Sequence, residues 1–426
     1  MYRHALAGLG LIVVVLSLGG CTTDALEPGQ ARLVGRAILP ADTFRPGDPV
    51  GAALDTEING RQAPFPSVPV QGFSSLIPQG NGLFLALQDN GFGTLANSPD
   101  YPLQFFQVRP DLKPTGPEAG TVEILATTDL TDPQGKLGFA PSRLDDRGQL
   151  YGADLDPESF VRLDDGTLWI GDEFGPFLVH VDALGRVIDP AVPVPAARPL
   201  RKYGRGTTEL RTPDHPDLRQ LATEEEKLAA ANLPRSGGIE GLARTSAGDR
   251  LYVAVEKAML DDPDSRRRSI LEFDVAKREF TRRYWFYTVD RPGISIASME
   301  AVTDSVLLVV ERDGEEGEQA KIKRIYRVDL YVLDDDACLA KTLVCDLLSI
   351  IDDRGLTEAE PGAIGLGNPY SFPYVTPECL AIIDDRTLLV CNDNNYPFST
   401  GRRPPGTPDD NEFILLELGL SLTGKE

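Results

Sequence analysis

The stretch DPESFVRLDDGTLWIGDEFGP, residues 156–176, contains two apolar runs on either side of a short polar turn centred on Asp165. Short apolar runs that are bounded by turn residues are typical of the strands of a β-hairpin. Glu158 precedes the first run, and Asp172 and Glu173 follow the second. Because the outer ends of a hairpin lie side by side, the stretch predicts that these carboxylates are neighbours in space.

Four further stretches repeat the order of apolar run, polar turn, apolar run and then acid or amide. They are QGFSSLIPQGNGLFLALQDNGFG (71–93), GIEGLARTSAGDRLYVAVEK (238–257), SMEAVTDSVLLVVERDG (298–314) and PECLAIIDDRTLLVCNDNN (377–395). The first strands of the five units begin near Phe73, Glu158, Glu240, Glu300 and Glu378. A unit that recurs in this way indicates a repeat architecture.

The turn positions also predict which residues face each other, since opposed residues in an antiparallel hairpin have numbers with a constant sum. Turns centred on Asn81, Asp165, Gly248 and Asp385 predict the pairs Phe73–Asp89, Glu158–Asp172, Glu240–Glu256, Glu378–Asn392 and Cys379–Cys391. Glu300 and Glu311 fit a tighter turn. The polar ends of each hairpin are therefore expected to be cross-strand neighbours.

The unit from residue 238 shows what one repeat contains, with four predicted strands in EGLAR, RLYVAVE, SILEFDV and EFTRRYWFYTV. Four-stranded units repeated around an axis predict an all-β fold of the β-propeller type. Five motif-bearing units are present, and a sixth blade could lie between residues 94 and 154 or after residue 190. The last unit lacks a fourth strand, which RLVGRAIL (32–39) could supply, so we expect one propeller domain over 32–426.

One helix is predicted inside this domain, within a long insertion at about 190–237. Thr223 and Glu226 form a capping box before EKLAAANL. The segment RPLRKYGRGTTELRTPDHPDL before it, which is rich in Pro, Arg and Gly, predicts a long loop over one face. Its basic part fits either substrate capture or the docking of a partner.

The first twenty residues have the pattern of an export signal, with a basic start and a short apolar run. The run ends in LGGC, which resembles a bacterial lipoprotein signal that makes Cys21 the lipidated first residue of the mature chain. An ordinary cleaved signal or an uncleaved anchor are the alternatives. The sequence thus predicts a signal peptide at 1–20, a lipidated tether at 21–31 and attachment on the periplasmic side, with Thr22 favouring the outer membrane.

The formal net charge of −23 argues against nucleic acid as a partner and is compatible with divalent cations or a simple acidic surface. After Cys21, four cysteines remain, and an exported chain permits disulfides. We favour the pairs Cys338–Cys345 and Cys379–Cys391 among the three possible pairings, with free buried thiols as the alternative. The chain is expected to be a monomer.

In a propeller the first strand of each blade lines the central channel, so one mouth should collect the polar hairpin ends. Carboxylates that converge without partners repel one another and have raised pKa values, which a hard cation such as Ca²⁺ relieves. We predict cation ligands at Asp172, Glu173, Glu311, Glu378, Asn392 and Asp393. Basic partners, or a purely structural rim of strand-capping acids, are the alternatives.

Several of these motifs together resemble the phytase-like family with esterase-like activity, namely DPESFVRLDDGTLWIGDEFGPFLVHVDALGRV, GGIEGLAR, RSILEFDV, LVVERDG, AKIKRIYRVDL, and ECLAI with LLVCNDNN. They occur in the order found in that family and cover most of the chain. The resemblance implies a propeller and a relation to calcium-dependent β-propeller phytases, in which calcium ions at the channel mouth activate water and hold phosphate. The first unit departs from the pattern, since Phe73 stands where the others begin with an acid.

The residues favour metal-assisted hydrolysis of a small ester or phosphoester over a serine-hydrolase mechanism. The chain has no G-x-S-x-G pentapeptide, and after the leader it has only His180 and His215 as histidine bases. We therefore predict Glu158 or Glu240 as the catalytic base. Lys257, Arg312 and Arg402 are the predicted substrate-binding cations. A calcium-dependent lactonase of the gluconolactonase type and a non-catalytic binding propeller are the alternatives.

Overall fold

The computed structural model describes residues 25–55, 57–143 and 145–424, so the lipidation predicted at Cys21 lies outside the described residues. Strand β1 (Ala31–Leu39) is followed by four two-residue strands. These are β2 (Phe44–Arg45), β3 (Glu57–Ile58), β4 (Arg61–Gln62) and β5 (Val68–Pro69). No helix of the described residues has the length and apolar character needed to cross a membrane.

The remaining strands form, together with β1, five four-stranded blades, numbered here in chain order. Blade 1 comprises β6 (Phe73–Gly80), β7 (Leu83–Gln88), β8 (Gln104–Pro110) and β9 (Gly120–Asp129). Blade 2 comprises β10 (Pro157–Arg162), β11 (Leu168–Asp172), β12 (Phe177–Val181) and β13 (Val192–Pro193). Blade 3 comprises β14 (Ile239–Arg244), β15 (Arg250–Val255), β16 (Arg267–Asp274) and β17 (Glu279–Thr288).

Blade 4 comprises β18 (Ser295–Ala301), β19 (Val306–Arg312), β20 (Lys323–Leu333) and β21 (Leu339–Asp346). Blade 5 comprises β22 (Thr376–Asp384), β23 (Thr387–Asp393), β24 (Asn411–Leu418) and, as its outermost strand, β1. The strand β1 runs antiparallel to β24, from Ala31 opposite Leu418 to Leu39 opposite Asn411. The prediction that an N-terminal strand completes the last blade is therefore confirmed.

The inner strands of the five blades close into a ring, because β6, β10, β14, β18 and β22 each contact the next and β22 contacts β6. This ring leaves no place for the sixth blade considered from the sequence. In the described part of 94–154 the strands are β8 and β9 of blade 1. The insertion contributes β13, 3-10 turns at Arg198–Tyr203 and Pro216–Leu218, and helix α1 (Glu224–Ala230) with the predicted capping box.

Apolar side chains fill the space between each pair of neighbouring blades, which is where the core of the fold lies. Phe160 and Ile170 of blade 2 pack with Leu87 and Phe105 of blade 1, and equivalent clusters separate the other blades. Both faces of each sheet are covered by apolar packing. This explains why the second strands read as continuous apolar runs, as in LWIGD and LLVCND.

The four cysteines of the described residues are free thiols, so the two predicted disulfides are wrong. Cys338 and Cys345 lie seven residues apart along or beside strand β21, a distance of about 20 Å in extended chain and too far for a bridge. Cys379 and Cys391 are opposed in the register as predicted, but the Cys379 thiol donates to the carbonyl of Phe73 at 2.9 Å.

Candidate functional site

Every inner strand contains a β-bulge close to its first residue, and this repeated irregularity builds the site. In blade 2 Pro157 faces Asp172 and Ser159 faces Gly171, so Glu158 is the extra residue. The same shift occurs around Ser74, Glu240, Ala297 and Glu378 in blades 1, 3, 4 and 5. A bulge re-aims the side chain of its extra residue, here towards the channel.

The predicted hairpin registers are confirmed beyond these bulges in blades 1, 2 and 5, where the pairs Leu76–Ala86, Phe160–Ile170 and Cys379–Cys391 have the expected sums. In blade 3 the register differs by one, with Gly241 opposite Ala254. The predicted pairs at the strand ends, such as Glu158 with Asp172, are displaced by the extra residue. Bulges cannot be seen in an apolar–polar pattern, because they change the pairing without changing the residue types.

Carboxylates from three blades meet at the centre of the ring. Their oxygen atoms form three overlapping groups in which every atom lies within 4.8 Å of the others. The groups are Asp156–Glu158–Glu173, Glu158–Glu240–Glu378 and Glu173–Glu240–Glu256. We call these six residues the acid cluster. Of its members Glu158 is half-buried and the other five are buried, so Glu158 is the most exposed residue of the cluster.

A single arginine of blade 4 enters the acid cluster. The guanidinium group of Arg312 lies 3.4 Å from Glu256, 3.5 Å from Glu378 and 3.9 Å from Glu240. Lys257 borders the cluster from blade 3, with its ammonium group 3.3 Å from Glu256. Both cations are half-buried. The carboxylates of Asp156 and Glu158 have no ion pair with either cation, so the blade 2 side is the less neutralised part.

Burial is the main cause of the raised carboxyl pKa values in the acid cluster, and mutual repulsion adds to it. The pKa of Asp156 is raised to about 7 and that of Glu378 to about 8, although Arg312 opposes the second shift. The pKa values of Glu158, Glu173 and Glu240 are raised well above the ordinary range by burial and by neighbouring carboxylates. The folded chain therefore holds protons here at neutral pH unless another cation replaces them.

Two further buried carboxylates, Asp89 of blade 1 and Asp393 of blade 5, add to the acids at this end of the channel. Burial and repulsion by Asp393 raise the pKa of Asp89, and burial raises that of Asp393 to about 6. The absence of a side chain at Gly72 leaves room for the Asp89 carboxylate, because a Cβ atom there would lie 2.6 Å from one of its oxygens.

Three of the predicted cation ligands point elsewhere and are bound to the protein itself. Asp172 accepts from the amides of Asp156 (2.8 Å) and Gly175 (2.7 Å). Glu311 accepts from the Tyr287 hydroxyl at 2.6 Å and from the Lys341 ammonium group. Asn392 accepts from and donates to backbone groups.

Successive side chains of a strand point to opposite faces, so the residue directly after each of these three predicted ligands faces the other way. Glu173, Arg312 and Asp393 each follow one of the three residues directly and contact or adjoin the acid cluster. Glu173, Glu378 and Asp393 are thus the predicted cation ligands that the structure brings together.

The expected place of Glu300 at the same mouth is wrong. Glu300 lies near the end of β18 opposite Leu308, and it lines a cavity of about 340 Å³ together with Gln79, Arg162 and Arg244 from the ends of three other inner strands. This cavity is at the other end of the channel. Burial raises the pKa of Glu300 to about 8. The blade 4 counterpart of Glu158 is Ala297. Because alanine has no carboxylate, the pattern of acids in the sequence could not identify this position.

Arg402 lies outside the acid cluster, within a buried network of blade 5. Its guanidinium group lies 2.9 Å from the Glu412 carboxylate and 2.8 Å from the Tyr370 hydroxyl. Arg36 of β1 pairs with the same carboxylate, and the two arginines lower the Glu412 pKa despite its burial. Among the predicted substrate-binding residues, Lys257 and Arg312 are therefore at the acid cluster, whereas Arg402 belongs to a separate buried network.

Asp156 belongs to the acid cluster, although its place in the sequence pattern did not predict a role for it. The signal that aligns the blades is the tetrapeptide around each bulge: FSSL (73–76), PESF (157–160), IEGL (239–242), IASM (296–299) and PECL (377–380). Its third residue is always small, and its second is Glu in three blades. Asp156 stands two positions before Glu158, the bulged residue of blade 2. The backbone amide of Asp156 donates a hydrogen bond to the Asp172 carboxylate, and this bond holds the start of the inner strand in place.

Residues 68–396 match the family described as phytase-like, with esterase-like activity of phytase. An uncharacterized secreted protein of Arthroderma benhamiae is 30% identical over 127 residues, which is 29% of this chain. This chain spans 24% of the length of that relative.

Solved structures that are similar include a luciferin-regenerating enzyme, with a TM-score of 0.35 and 10% identity over 82% of this chain and 81% of that one. An aldose sugar dehydrogenase from Streptomyces coelicolor, in its PQQ-bound form, has a TM-score of 0.34 and 10% identity over 92% of this chain and 100% of that one.

Proposed function

Because this chain belongs to the phytase-like family with esterase-like activity, we propose that it is an exported, Ca²⁺-dependent hydrolase of small phosphoesters or carboxylesters. The observation that carries the proposal is the convergence of six carboxylates from three blades, in three overlapping groups whose ligand atoms lie within 4.8 Å of one another. Export is supported by the leader pattern and by the secreted relative. The lipid on Cys21 and attachment to the outer membrane remain part of the proposal.

The donor set of the acid cluster fits a hard cation. Ca²⁺ binds oxygen ligands, and the cluster offers carboxylate oxygens within 4.8 Å of one another. Arg312 already neutralises Glu240, Glu256 and Glu378 in part. We therefore assign the ion to the less neutralised blade 2 side, where Asp156 and Glu173 would hold it, with Glu378 and Asp393 as the nearest further ligands predicted from the sequence.

When bound, the cation supplies the positive charge that polarises an ester or phosphoryl oxygen and acidifies a water molecule. Glu158 is the proposed base, since it is the most exposed residue of the acid cluster and its carboxylate has no ion pair with Arg312 or Lys257. Glu240 is the second candidate, although its ion pair with Arg312 at 3.9 Å makes it a weaker proton acceptor. Lys257 and Arg312 would bind the anionic part of the substrate.

Calorimetric Ca²⁺ titration of the chain from residue 22, at pH 7.5, tests the metal site. We expect Glu173→Gln to weaken binding at least tenfold, because it removes a charged ligand. Glu300→Gln is the matched control, since it changes a half-buried glutamate of an inner strand at the other end of the channel. Equal binding by the wild type and Glu173→Gln, or no binding by the wild type, would refute the metal assignment.

A screen with phosphate esters, carboxyl esters and lactones then tests catalysis on the same proteins. Glu158→Gln is expected to lower turnover of the best substrate by about 10²–10⁴-fold while the folded protein still takes up Ca²⁺. Selective turnover of lactones would favour the lactonase alternative. Inactivity of the wild type on all three classes with Ca²⁺ present would favour the non-catalytic alternative.

A further inference from the structure

A groove on the outer edge of blade 3 is strongly basic, although the whole chain carries a net charge of −23. One wall is the segment 195–201, which leads into the 3-10 turn Arg198–Tyr203. The other wall is formed by the outermost strand β17, with Leu271 of β16 at the base. Arg198, Arg201 and Arg282 line it together with the backbone of Arg283, whose guanidinium group turns to the other face of β17, and no acidic residue lines it. We call it the blade 3 groove.

The arginines of the blade 3 groove are largely without acidic partners. In the part of the chain that the structure describes, Arg198 and Arg282 form no ion pair, and Arg201 donates only to the carbonyl of Ala196 at 3.4 Å. Arg283 alone is paired, with Glu272 at 3.1 Å. All four side chains are exposed. Guanidinium groups that face one groove without counter-charges repel one another, and an anionic ligand would relieve that repulsion.

The dimensions and base of the groove suit a small molecule. Its volume is about 470 Å³, within the range of pockets that bind small ligands. Phe280 and Tyr284 line it beside Leu271 and Ala197, so an apolar surface lies beneath the charged rim. Guanidinium groups bind phosphate oxygens through paired hydrogen bonds, and several arginines can share one phosphate.

We propose that the blade 3 groove binds a soluble molecule that carries two or more phosphate groups. The groove is separate from the acid cluster, and this inference does not depend on the proposed hydrolase activity. The insertion nevertheless contributes to both places, because Ser236 at its end accepts a hydrogen bond from Lys257 beside the acid cluster. A soluble polyphosphate is thus the proposed ligand of the basic segment that begins at Arg198.

Isothermal titration with inorganic tripolyphosphate, in metal-free buffer at low ionic strength, tests the proposal. We expect Arg198→Gln/Arg282→Gln to weaken binding at least tenfold and to reduce its salt dependence. Arg386→Gln is the matched control, since Arg386 is an exposed arginine in the hairpin turn of blade 5. Melting temperatures of all three proteins should agree, because the two groove arginines form no ion pair.

Two outcomes would overturn the proposal: no binding of tripolyphosphate by the wild type, or equal loss in Arg386→Gln and the groove double variant. Citrate separates phosphate recognition from general anion binding, and citrate binding as tight as that of tripolyphosphate would also overturn it. Vesicles of phosphatidylglycerol separate a lipid headgroup from a soluble ligand. Arginine-dependent vesicle binding without tripolyphosphate binding would replace the soluble ligand by a membrane surface.

Discussion

Arg312 is the cation that blade 4 presents where the other blades present carboxylates. Asp89, Glu173, Glu256 and Asp393 occupy the corresponding place, directly after or at the end of the second strand of each blade. Blade 4 also has Ala297 in place of a bulged glutamate. The acid cluster is therefore asymmetric, with blade 4 supplying counter-charge and blade 2 supplying the acids that keep no ion pair with Arg312.

Glu300 offers the simplest test of how burial affects a channel carboxylate, because it stands apart from the acid cluster. Its pKa is raised from 4.5 to about 8 by burial, so the folded chain binds this proton more tightly than the unfolded chain. As pH rises from about 4.5 to about 8, this group makes folding progressively less favourable. Above the pKa of Glu300 in the folded state, its contribution to the free energy of folding no longer changes with pH.

We expect Glu300→Gln to match the wild type near pH 4.5 and to be more stable at pH 8.5 by on the order of 2–4 kcal/mol. Urea unfolding at a series of pH values measures this difference. The control is Glu279→Gln, which changes an exposed glutamate at the start of β17. Parallel pH curves for the wild type and Glu300→Gln would contradict the burial account.

At the scale of elements, the small residue after each bulge lets neighbouring inner strands approach closely. In blade 3 this residue is Gly241, and a Cβ atom there would lie 2.6 Å from the Cβ of Met299 in blade 4. The equivalent residues are Ser75, Ser159, Ser298 and Cys379. The size of the side chain after the bulge therefore limits the diameter of the ring and the distance between carboxylates of different blades.

Gly241→Val should force β14 and β18 apart and destabilise the fold by about 1–3 kcal/mol, the usual cost of overpacking. The expected loss is measured by urea unfolding. Gly314→Val provides a matched control, because no atom lies within 4 Å of a Cβ placed at Gly314. If both variants lose the same stability, close packing of the inner strands is not the reason.

At the scale of the whole molecule, β1 closes the ring because a strand from early in the chain becomes the outermost strand of the last blade. It pairs with β24 over its length and meets β9 of blade 1 in a short parallel contact at Ala37 and Ile38. Arg36 connects it to the buried Glu412 and thereby to Arg402. The strand is thus tied to blades 5 and 1 by pairing and by a buried charge network.

A chain that begins at Pro40 is expected to lose the single cooperative unfolding transition, because β24 becomes an open edge and Glu412 loses a cation. Circular dichroism during heating measures the transition. Supplying the peptide 31–39 should restore it in part, whereas a peptide of the same composition in scrambled order should not. An unchanged transition without β1 would show that the closure is dispensable.

The apolar runs, the turn residues and the five-fold recurrence were sufficient to predict strands, hairpins, blades, the capped helix and the closing strand, because these depend on local pattern and spacing. The register sums also predicted the opposition of Cys379 and Cys391. The residues Glu158, Glu173, Glu240 and Glu378 could be identified as neighbours for the same reason: hairpin ends of a propeller share one mouth.

Only the tertiary structure decided which side of each strand end faces the channel. One extra residue per inner strand re-aims residues such as Glu158 towards the channel, and at the end of β11 Glu173 enters the acid cluster while Asp172 binds backbone amides. Pairing through space also made Arg402 part of a buried network and set Glu300 at the opposite end of the channel. A bulge and a long-range ion pair depend on the partner strand, and residue types along one strand do not specify either of them.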